Sequence, residues 1–357
     1  MQSLIGLNLN ELESLVQELG LEKFRAKQIY KWIYSKSCRD FDEMTDLSTK
    51  ARDLLKEKSS IGSLKLVTRE ISSDGTEKFL FETSQGEKIE SVLMYFENVN
   101  YSEDEGGNTP PGRYSACISS QVGCAVACPF CATGTLGFKR NLSASEIIEQ
   151  VLFMQNLSEK RIANIVYMGQ GEPLNNYDSV LKSIKRIRED VGIGVRHITV
   201  STSGVIPKIE ALATEDLQIT LALSLHDSTD QGRDYLVPIN SKWPVFEVID
   251  SLKDYVRKTK RRVTIEYVML DGVNDSLDKA KILGELIKDL HCNVNLIPYN
   301  STDVDDPFKR SNSKRVEEFS KVLKQHCKGK TITVRKERGH DIKAACGQLA
   351  NSVGSKT

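Results

Sequence analysis

Three cysteines, Cys124, Cys128 and Cys131, stand in the eight-residue run C-A-V-A-C-P-F-C. No other feature constrains the chain as much, because three thiolates spaced C-x3-C-x2-C can share one inorganic centre. They can hold three irons of a cubane iron–sulfur cluster, which ordinarily takes four cysteines. The fourth iron is then open to a substrate, and the cluster can pass that substrate an electron. Zinc is the competing occupant, but structural zinc wants four ligands and a second knuckle, and the sequence has none. Unrelated buried thiols, each behaving as a small hydrophobe, account poorly for three cysteines this close. Gly123, Pro129, Gly134 and Gly137 surround the run. They predict a loop, which can wrap a cluster where a regular element could not.

At 357 residues the chain can carry one large domain and a small one. Its 49 basic and 49 acidic side chains cancel, so net charge points to no nucleic-acid partner. Local basic runs remain: Lys258, Lys260, Arg261 and Arg262; Arg335, Lys336 and Arg338; and Lys139 and Arg140 beside the cysteine loop. Each can reach phosphate, and each reads equally as a solvated face. No apolar run approaches the ~20 residues of a membrane-spanning helix. The N-terminus, MQSLIGLNLNELESL, lacks a basic n-region and contains acids, unlike signal or transit peptides. Eight cysteines without such a signal argue for a reducing compartment, and the cytoplasm is the expected location.

Residues 1–60 read as a small helical accessory domain. Leu12, Leu15, Val16 and Leu19 share one helical face with Gly20 as a stop, and Ile29, Trp32 and Ile33 repeat the spacing. Lys23, Arg25, Lys27 and Lys31 suit a module that grips RNA, and a simple packing bundle would carry them too. Residues 61–113 read as a β-hairpin linker. The segments 64–68 and 78–83 flank Asp74-Gly75, a hairpin signal, and 89–95 follows as a third strand. Residues 98–113 are polar and rich in Gly and Pro, predicting a flexible loop. From 114 to 345 strand and helix alternate. Strand candidates centre near Cys117, Val166, Thr199, Leu221, Tyr267 and Leu296. Ser143-Ala-Ser-Glu146 is a capping box ahead of an apolar run. Six such units predict an α/β fold on a parallel sheet. A last strand, 331–335, precedes a tail, 346–357, that carries Cys346.

The motifs between these elements fall in one order. They are Cys117-Ile-Ser-Ser-Gln-Val-Gly-Cys124, Gly137-Phe-Lys-Arg-Asn-Leu142, Met168-Gly-Gln-Gly-Glu-Pro173 and Ser201-Thr-Ser-Gly204, then Ser224-Leu-His226, Ile265-Glu-Tyr-Val-Met-Leu270, Asn295-Leu-Ile-Pro-Tyr-Asn300 and Ala345-Cys-Gly-Gln-Leu349. The cysteine spacing is the signature of radical S-adenosylmethionine enzymes. Together the motifs resemble the bacterial-type RNA adenine-C2 methyltransferases over nearly the whole chain. The resemblance implies an incomplete (β/α)6 TIM-like barrel, with its active-site groups at the C-terminal ends of the strands. It implies one [4Fe–4S] cluster with an open iron on Cys124, Cys128 and Cys131, and two S-adenosylmethionine molecules per turnover. Gly171, Glu172, Ser201, Ser224, Leu225, His226 and Asn300 would line the S-adenosylmethionine site. Glycine permits close approach of a ligand and a carboxylate can pair with its ammonium. Taken singly, Ser201 and Ser224 read as ordinary strand-end hydroxyls and His226 as a structural histidine.

Cys346 lies beside a glycine in the tail and reads as a buried small residue in a tail helix or as a nucleophile. The resemblance makes it the methyl carrier, through an S-methylcysteine that later bonds to carbon 2 of adenine. Cys117 would then be the resolving thiol, forming a transient disulfide with Cys346, and Glu90 the acceptor of the carbon-2 proton. A lone strand glutamate otherwise reads as solvent-facing. The implied partners are large-subunit ribosomal RNA and tRNA, at the adenosine 3′ of the anticodon, and an external flavodoxin- or ferredoxin-like electron donor. The expected state is a monomer with no membrane association. Pro173 points to the carbon-2 branch and 300–303 resembles the sister branch that methylates carbon 8. A zinc-dependent RNA-binding module without catalysis is the reading of a different class. Cys38, Cys292 and Cys327 have no partner in the pattern, and the adjacent pairs His291-Cys292 and His326-Cys327 read as non-ligands.

Overall fold

Ten strands form one sheet in the computed structural model, which describes residues 1–96, 112–302 and 306–351. They are β1 (Lys65–Ile71), β2 (Glu77–Glu82), β3 (Lys88–Phe96), β4 (Arg113–Cys117), β5 (Ile162–Tyr167), β6 (Ile198–Thr202), β7 (Thr220–Ser224), β8 (Val263–Met269), β9 (Cys292–Pro298) and β10 (Ile332–Val334). Their spatial order is their chain order. From β4 to β10 every neighbouring pair is parallel. The six expected strands and the final one are all present. β1 and β10 are the two edges, so among the described residues the sheet stays open, as an incomplete barrel requires.

The parallel strands are covered on both faces, which is why they read as near-continuous apolar runs. Leu221, Ala222 and Leu223 of β7 are all buried. Helices make each crossover: Ala144–Leu157 after β4, Tyr177–Arg186 after β5, Ile206–Leu212 after β6 and Val245–Thr259 after β7. Leu277–Ile287 follows β8 and Ser313–His326 follows β9. The capping box is formed. The Ser143 hydroxyl accepts from the Glu146 amide, and the Glu146 carboxylate accepts from the Ser143 amide at 2.8 Å.

Residues 61–113 are not a linker. β1, β2 and β3 run antiparallel and continue the barrel sheet, with β3 paired to β4 through Val92↔Cys117 and Met94↔Ser115. Residues 98–111 of the expected loop lie outside the described residues, and Arg113 already begins β4. The N-terminal segment folds as the helices Leu9–Glu18, Arg25–Tyr30 and Thr49–Lys58, closed by a parallel pair between Gln2–Ser3 and Ser59–Ser60. Its Leu12, Val16, Ile29, Ile33 and Leu55 join the same apolar core as the sheet.

One buried carboxylate fixes this segment to the barrel. Glu149, on the Ala144–Leu157 helix, accepts from the amides of Ser63 at 2.7 Å and Leu64 at 3.0 Å. It also pairs with Arg39 at 2.8 Å. Removing one partner of such a buried set leaves the others unsatisfied, which costs about 3–5 kcal/mol. Glu149→Ala is therefore expected to lose about 3–5 kcal/mol of unfolding free energy in urea titrations. A loss within the ±0.5 kcal/mol typical of surface substitutions would show that the anchor is incidental.

Candidate active site

β4 ends at Cys117, and the chain then forms a small hairpin in which Gln121–Gly123 pairs antiparallel with Phe138–Asn141. The cysteine loop spans its tip. The Cys124 amide donates to the Gly137 carbonyl at 3.1 Å, the Cys131 amide to the Cys128 carbonyl at 3.1 Å and the Gly134 amide to the Cys131 carbonyl at 2.9 Å. Gly134 is obligatory, since a Cβ there would stand 2.5 Å from the Cys128 carbonyl oxygen. All three cysteines are free thiols, packed against Val126, Phe130, Leu236, Val237, Tyr299 and Phe308. Burial pushes the Cys124 thiol up to about 12 and raises Cys128 and Cys131 as well. Among the described residues no three His, Cys, Asp or Glu side chains gather closely enough to hold a lone metal ion. A cubane spreads its ligands over separate irons, so three free thiols that do not converge on one point fit a cluster.

The residues expected around S-adenosylmethionine sit where the parallel strands end. Gly171, after β5, has φ +102°, and a Cβ there would meet the Gln121 Cβ at 2.5 Å. Glu172 is buried and already engaged: it accepts from the Leu174 amide at 3.0 Å and from the amide and hydroxyl of Ser203, both at 2.7 Å. Burial raises its pKa and those bonds oppose the rise. Glu172 thus ties the loop after β5 to the loop after β6, and a ligand ammonium would share it with these donors. Ser201 and Ser224, at the ends of β6 and β7, stand with hydroxyls 3.1 Å apart. The Leu225 amide donates to the Glu266 carbonyl at 3.0 Å and the His226 amide to the same oxygen at 3.4 Å. The His226 ring lies edge-on to Phe130 with centroids 5.0 Å apart. Its Nδ1 accepts from the Val268 amide at 3.1 Å, so the imidazole is neutral. Burial and then the nearby Arg233 hold its pKa down at about 3. Asn300, after β9, buries an Oδ1 that has no partner among the described residues. Buried acceptors are nearly always satisfied, so this one suits a donor on a bound ligand.

The tail brings Cys346 into the same region as a turn and not as a helix. The Ala132 amide donates to the Gly347 carbonyl at 2.8 Å, and the Thr133 hydroxyl donates to the Leu349 carbonyl at 2.8 Å. Gln348 Nε2 donates to the Ser301 carbonyl at 2.7 Å, and Gln170 Nε2 to Asn351 Oδ1 at 2.7 Å. Cys346 is the one exposed cysteine of the eight. Enough protein surrounds it for burial to raise its thiol pKa, with the Arg335 cation opposing and the Glu266 and Cys131 charges adding. That combination describes a side chain opening into a recess. Cys117 is buried in a cluster with Val92 and with Ala344 and Leu349 of the tail. Its thiol is pushed up first by burial and then by the charge of Cys346, which places the two cysteines within reach of each other's field.

Glu90 departs from the solvent-facing reading: it is wholly buried on β3. Its Oε2 accepts from the Asn351 amide at 3.0 Å and its Oε1 lies 3.5 Å from Lys78 Nζ, which also pairs with Glu70 at 2.8 Å. Burial pushes the Glu90 carboxyl up. Arg140 is not free for phosphate, because its guanidinium bonds Glu87 and Glu146 at 2.8–3.1 Å. Lys23 pairs with Glu13 and Arg25 with Glu22, leaving Lys27 and Lys31 exposed on that face. Cys38, Cys292 and Cys327 are buried free thiols. The tail anchors Gln170, Thr133 and Gln348, and the buried Arg233, had no signal in the sequence, since each acts across the fold. No described helix is long and apolar enough to cross a membrane.

Comparisons with known proteins agree with this geometry. Residues 2–61 match the family model of the ribosomal RNA large subunit methyltransferase N-terminal domain, and residues 118–281 match the radical SAM superfamily. The chain is 46% identical to the probable dual-specificity RNA methyltransferase RlmN of Thermotoga sp. (strain RQ2), over 98% of this chain and 97% of that protein. It is 44% identical to the protein of the same description from Staphylococcus aureus (strain JH9), over 98% and 92%. A crystal structure of a radical SAM methyltransferase from Sphaerobacter thermophilus matches with a TM-score of 0.89 at 41% identity, covering 99% of this chain and 100% of that one.

The neutral His226 makes stability depend on pH. Its folded pKa of about 3 lies below the ordinary 6.5. Below pH 6.5 the unfolded chain therefore takes up a proton that the folded chain refuses, and stability falls as pH drops through that window. The slope reaches about 1.4 kcal/mol per pH unit. Urea unfolding of the cluster-free protein should show the lead of wild type over His226→Gln shrinking by about 2 kcal/mol between pH 7 and pH 5. A constant lead would mean the imidazole titrates alike in the folded and unfolded chain, and a lead that grew toward pH 5 would mean it is charged when folded.

Proposed function

Because the chain belongs to the RlmN family of radical S-adenosylmethionine RNA methyltransferases, we propose that it methylates carbon 2 of adenosine in large-subunit ribosomal RNA and, 3′ of the anticodon, in tRNA. The name its relatives carry favours carbon 2 over the carbon-8 sister reaction. The observation that carries the reading is the bonding of the Cys346 turn to Ala132 and Thr133, the two residues after Cys131. It supports a carrier role for Cys346, because the same turn packs Ala344 and Leu349 against Cys117.

Cys124, Cys128 and Cys131 would hold the cluster, which when bound supplies the electron that cleaves S-adenosylmethionine. Gly171, Glu172, Ser201, Ser224, Leu225, His226 and Asn300 would orient that molecule, with the unsatisfied Asn300 Oδ1 taking one of its donors. Cys346 would accept the methyl group by displacement at the sulfonium: a sulfur–carbon bond forms on the thiolate and the methyl–sulfonium bond breaks. Arg335 favours that thiolate. The detour through Cys346 has a chemical reason. Carbon 2 of adenine is electron-poor and has no lone pair with which to attack a sulfonium, so the carbon is delivered from the protein. Glu90 would take the carbon-2 proton, which requires the Asn351 amide to leave its carboxylate. Cys117 would then attack the Cys346 sulfur. The sulfur–sulfur bond forms as the sulfur–carbon bond breaks, the carbon keeps that electron pair and takes a proton to become the methyl group, and a reductant restores both thiols.

Residues 1–60 would bind RNA through the exposed Lys27 and Lys31, and 346–357 would act as the carrier tail. An external flavodoxin- or ferredoxin-like protein would supply electrons, and the enzyme would work as a monomer in the cytoplasm.

Nucleoside mass spectrometry tests this. The anaerobically reconstituted enzyme receives reductant, methyl-deuterated S-adenosylmethionine and unmodified tRNA or ribosomal RNA. Labelled 2-methyladenosine is expected, and Cys346→Ala should abolish it. Cys117→Ala should leave RNA covalently attached to the protein. Labelled 8-methyladenosine would move the enzyme to the sister reaction. A protein without about four irons, the content of one cubane, would overturn the cluster.

A further inference from the structure

We propose that Arg233 is the built-in counter-charge of the iron–sulfur cluster and raises its reduction potential. This rests on the reading of Cys124, Cys128 and Cys131 as cluster ligands.

Arg233 has no accessible surface and lies on the helix Asp230–Leu236. Its guanidinium is held by neutral groups: Nε donates to the Leu225 carbonyl at 3.2 Å, Nη1 to Asn240 Oδ1 at 2.8 Å and Nη2 to the Ser203 carbonyl. Among the described residues it forms no ion pair. The carboxylates around it, Asp230, Asp234 and Glu172, support the cation only at longer range, and each takes its hydrogen bonds from neutral donors, so the guanidinium has no anion in contact. Asp230 and Asp234 accept from Asn240 Nδ2 at 3.0 and 2.7 Å, and Glu172 accepts from Leu174 and Ser203. A buried cation without an anion costs several kcal/mol. The fold keeps one here.

The cysteine loop packs on the same helical face. Leu236 and Val237, three and four positions on from Arg233, pack with Val126 and Phe130 against the three cysteines. Once the thiols bind iron they are thiolates. A cubane on three thiolates carries net negative charge, and reduction makes it more negative. A fixed cation in this apolar shell stabilises the reduced form more than the oxidised one, because low dielectric strengthens the attraction. Arg233 also ties the loops after β6 and β7, and its charge acts in addition to that tie.

The test is a redox titration, followed by electron paramagnetic resonance, of the reconstituted full chain without S-adenosylmethionine. Wild type, Arg233→Gln and Arg233→Lys are compared. At the wild-type midpoint, Arg233→Gln should show a reduced-to-oxidised ratio at least tenfold lower, a shift of 59 mV for a one-electron couple. Arg233→Lys keeps the charge and should stay within twofold. Loss of iron from folded Arg233→Gln, with iron retained by Arg233→Lys, would support the same role. The proposal is overturned if Arg233→Gln titrates within twofold of wild type, if both variants shift or lose iron alike, or if cluster-free Arg233→Gln has lost its circular dichroism. An unchanged midpoint with weakened S-adenosylmethionine binding would assign Arg233 to that ligand instead and also overturn it. Wild-type protein lacking iron would sink the reading of the cysteine loop, an outcome distinct from all of these.

Discussion

Everything at the mouth of the barrel depends on how the last described residues are held. The turn around Cys346 has little core of its own. It stays in place because Ala132, Thr133, Gln170, Ser301 and Glu90 each contribute one side of a hydrogen bond to it. Those five groups come from the cysteine-loop helix, the loop after β5, the loop after β9 and β3. The tail therefore reports on four separate parts of the sheet. It can sit correctly only when the cysteine loop, the strand ends and the antiparallel extension are all in register. A nucleophile on a tail is normally poorly positioned. Here its geometry is set by the rigid elements beneath it.

Burial shapes the charge of the same region. Burial raises the thiols of Cys117, Cys124, Cys128, Cys131 and Cys346, the carboxyls of Glu90, Glu172 and Glu266, and lowers His226. Each shift favours the neutral form. The site's thiols thus favour the protonated form around a neutral imidazole, with Arg233 as a buried cation. Ligation by metal needs thiolates and so releases protons. A cation held among carbonyls rather than carboxylates remains available to the negative charge that ligation creates.

Much of this was legible from the chain. The spacing of Cys124, Cys128 and Cys131, the six apolar strand runs and the Ser143 capping box all depend on neighbours a few residues away. Local sequence carries those relations. What could not be read were relations made across the fold. Arg140, on the small hairpin, looks like a free basic side chain until the fold brings Glu87 beside it from the turn before β3. Glu172 looks like a ligand carboxylate until Ser203 arrives from the next strand end. Arg233 resembles any helical arginine, since nothing near it in sequence says that its helix faces the cysteine loop. The segment 61–113 shows its hairpin through Asp74-Gly75, but pairing of its third strand with β4 is a long-range event that no turn signal announces.

That long-range pairing explains why an antiparallel extension belongs to this sheet at all. Opposed residues on neighbouring strands share a face, and so do residues two apart along one strand. Val92 on β3 stands opposite Cys117 on β4 and opposite Lys78 on β2, and Val166 on β5 stands on the other side of Cys117. Glu90 is two residues from Val92 and so projects from the same face. The register thus lines up Lys78, Val92, Cys117 and Val166 across four strands, with Glu90 one step along. Sliding β3 by one residue would turn Glu90 away from Cys117 and from Lys78, which would keep only Glu70. The extension sets a carboxylate and its lysine beside the first barrel strand, at the one edge where the parallel series leaves room for them.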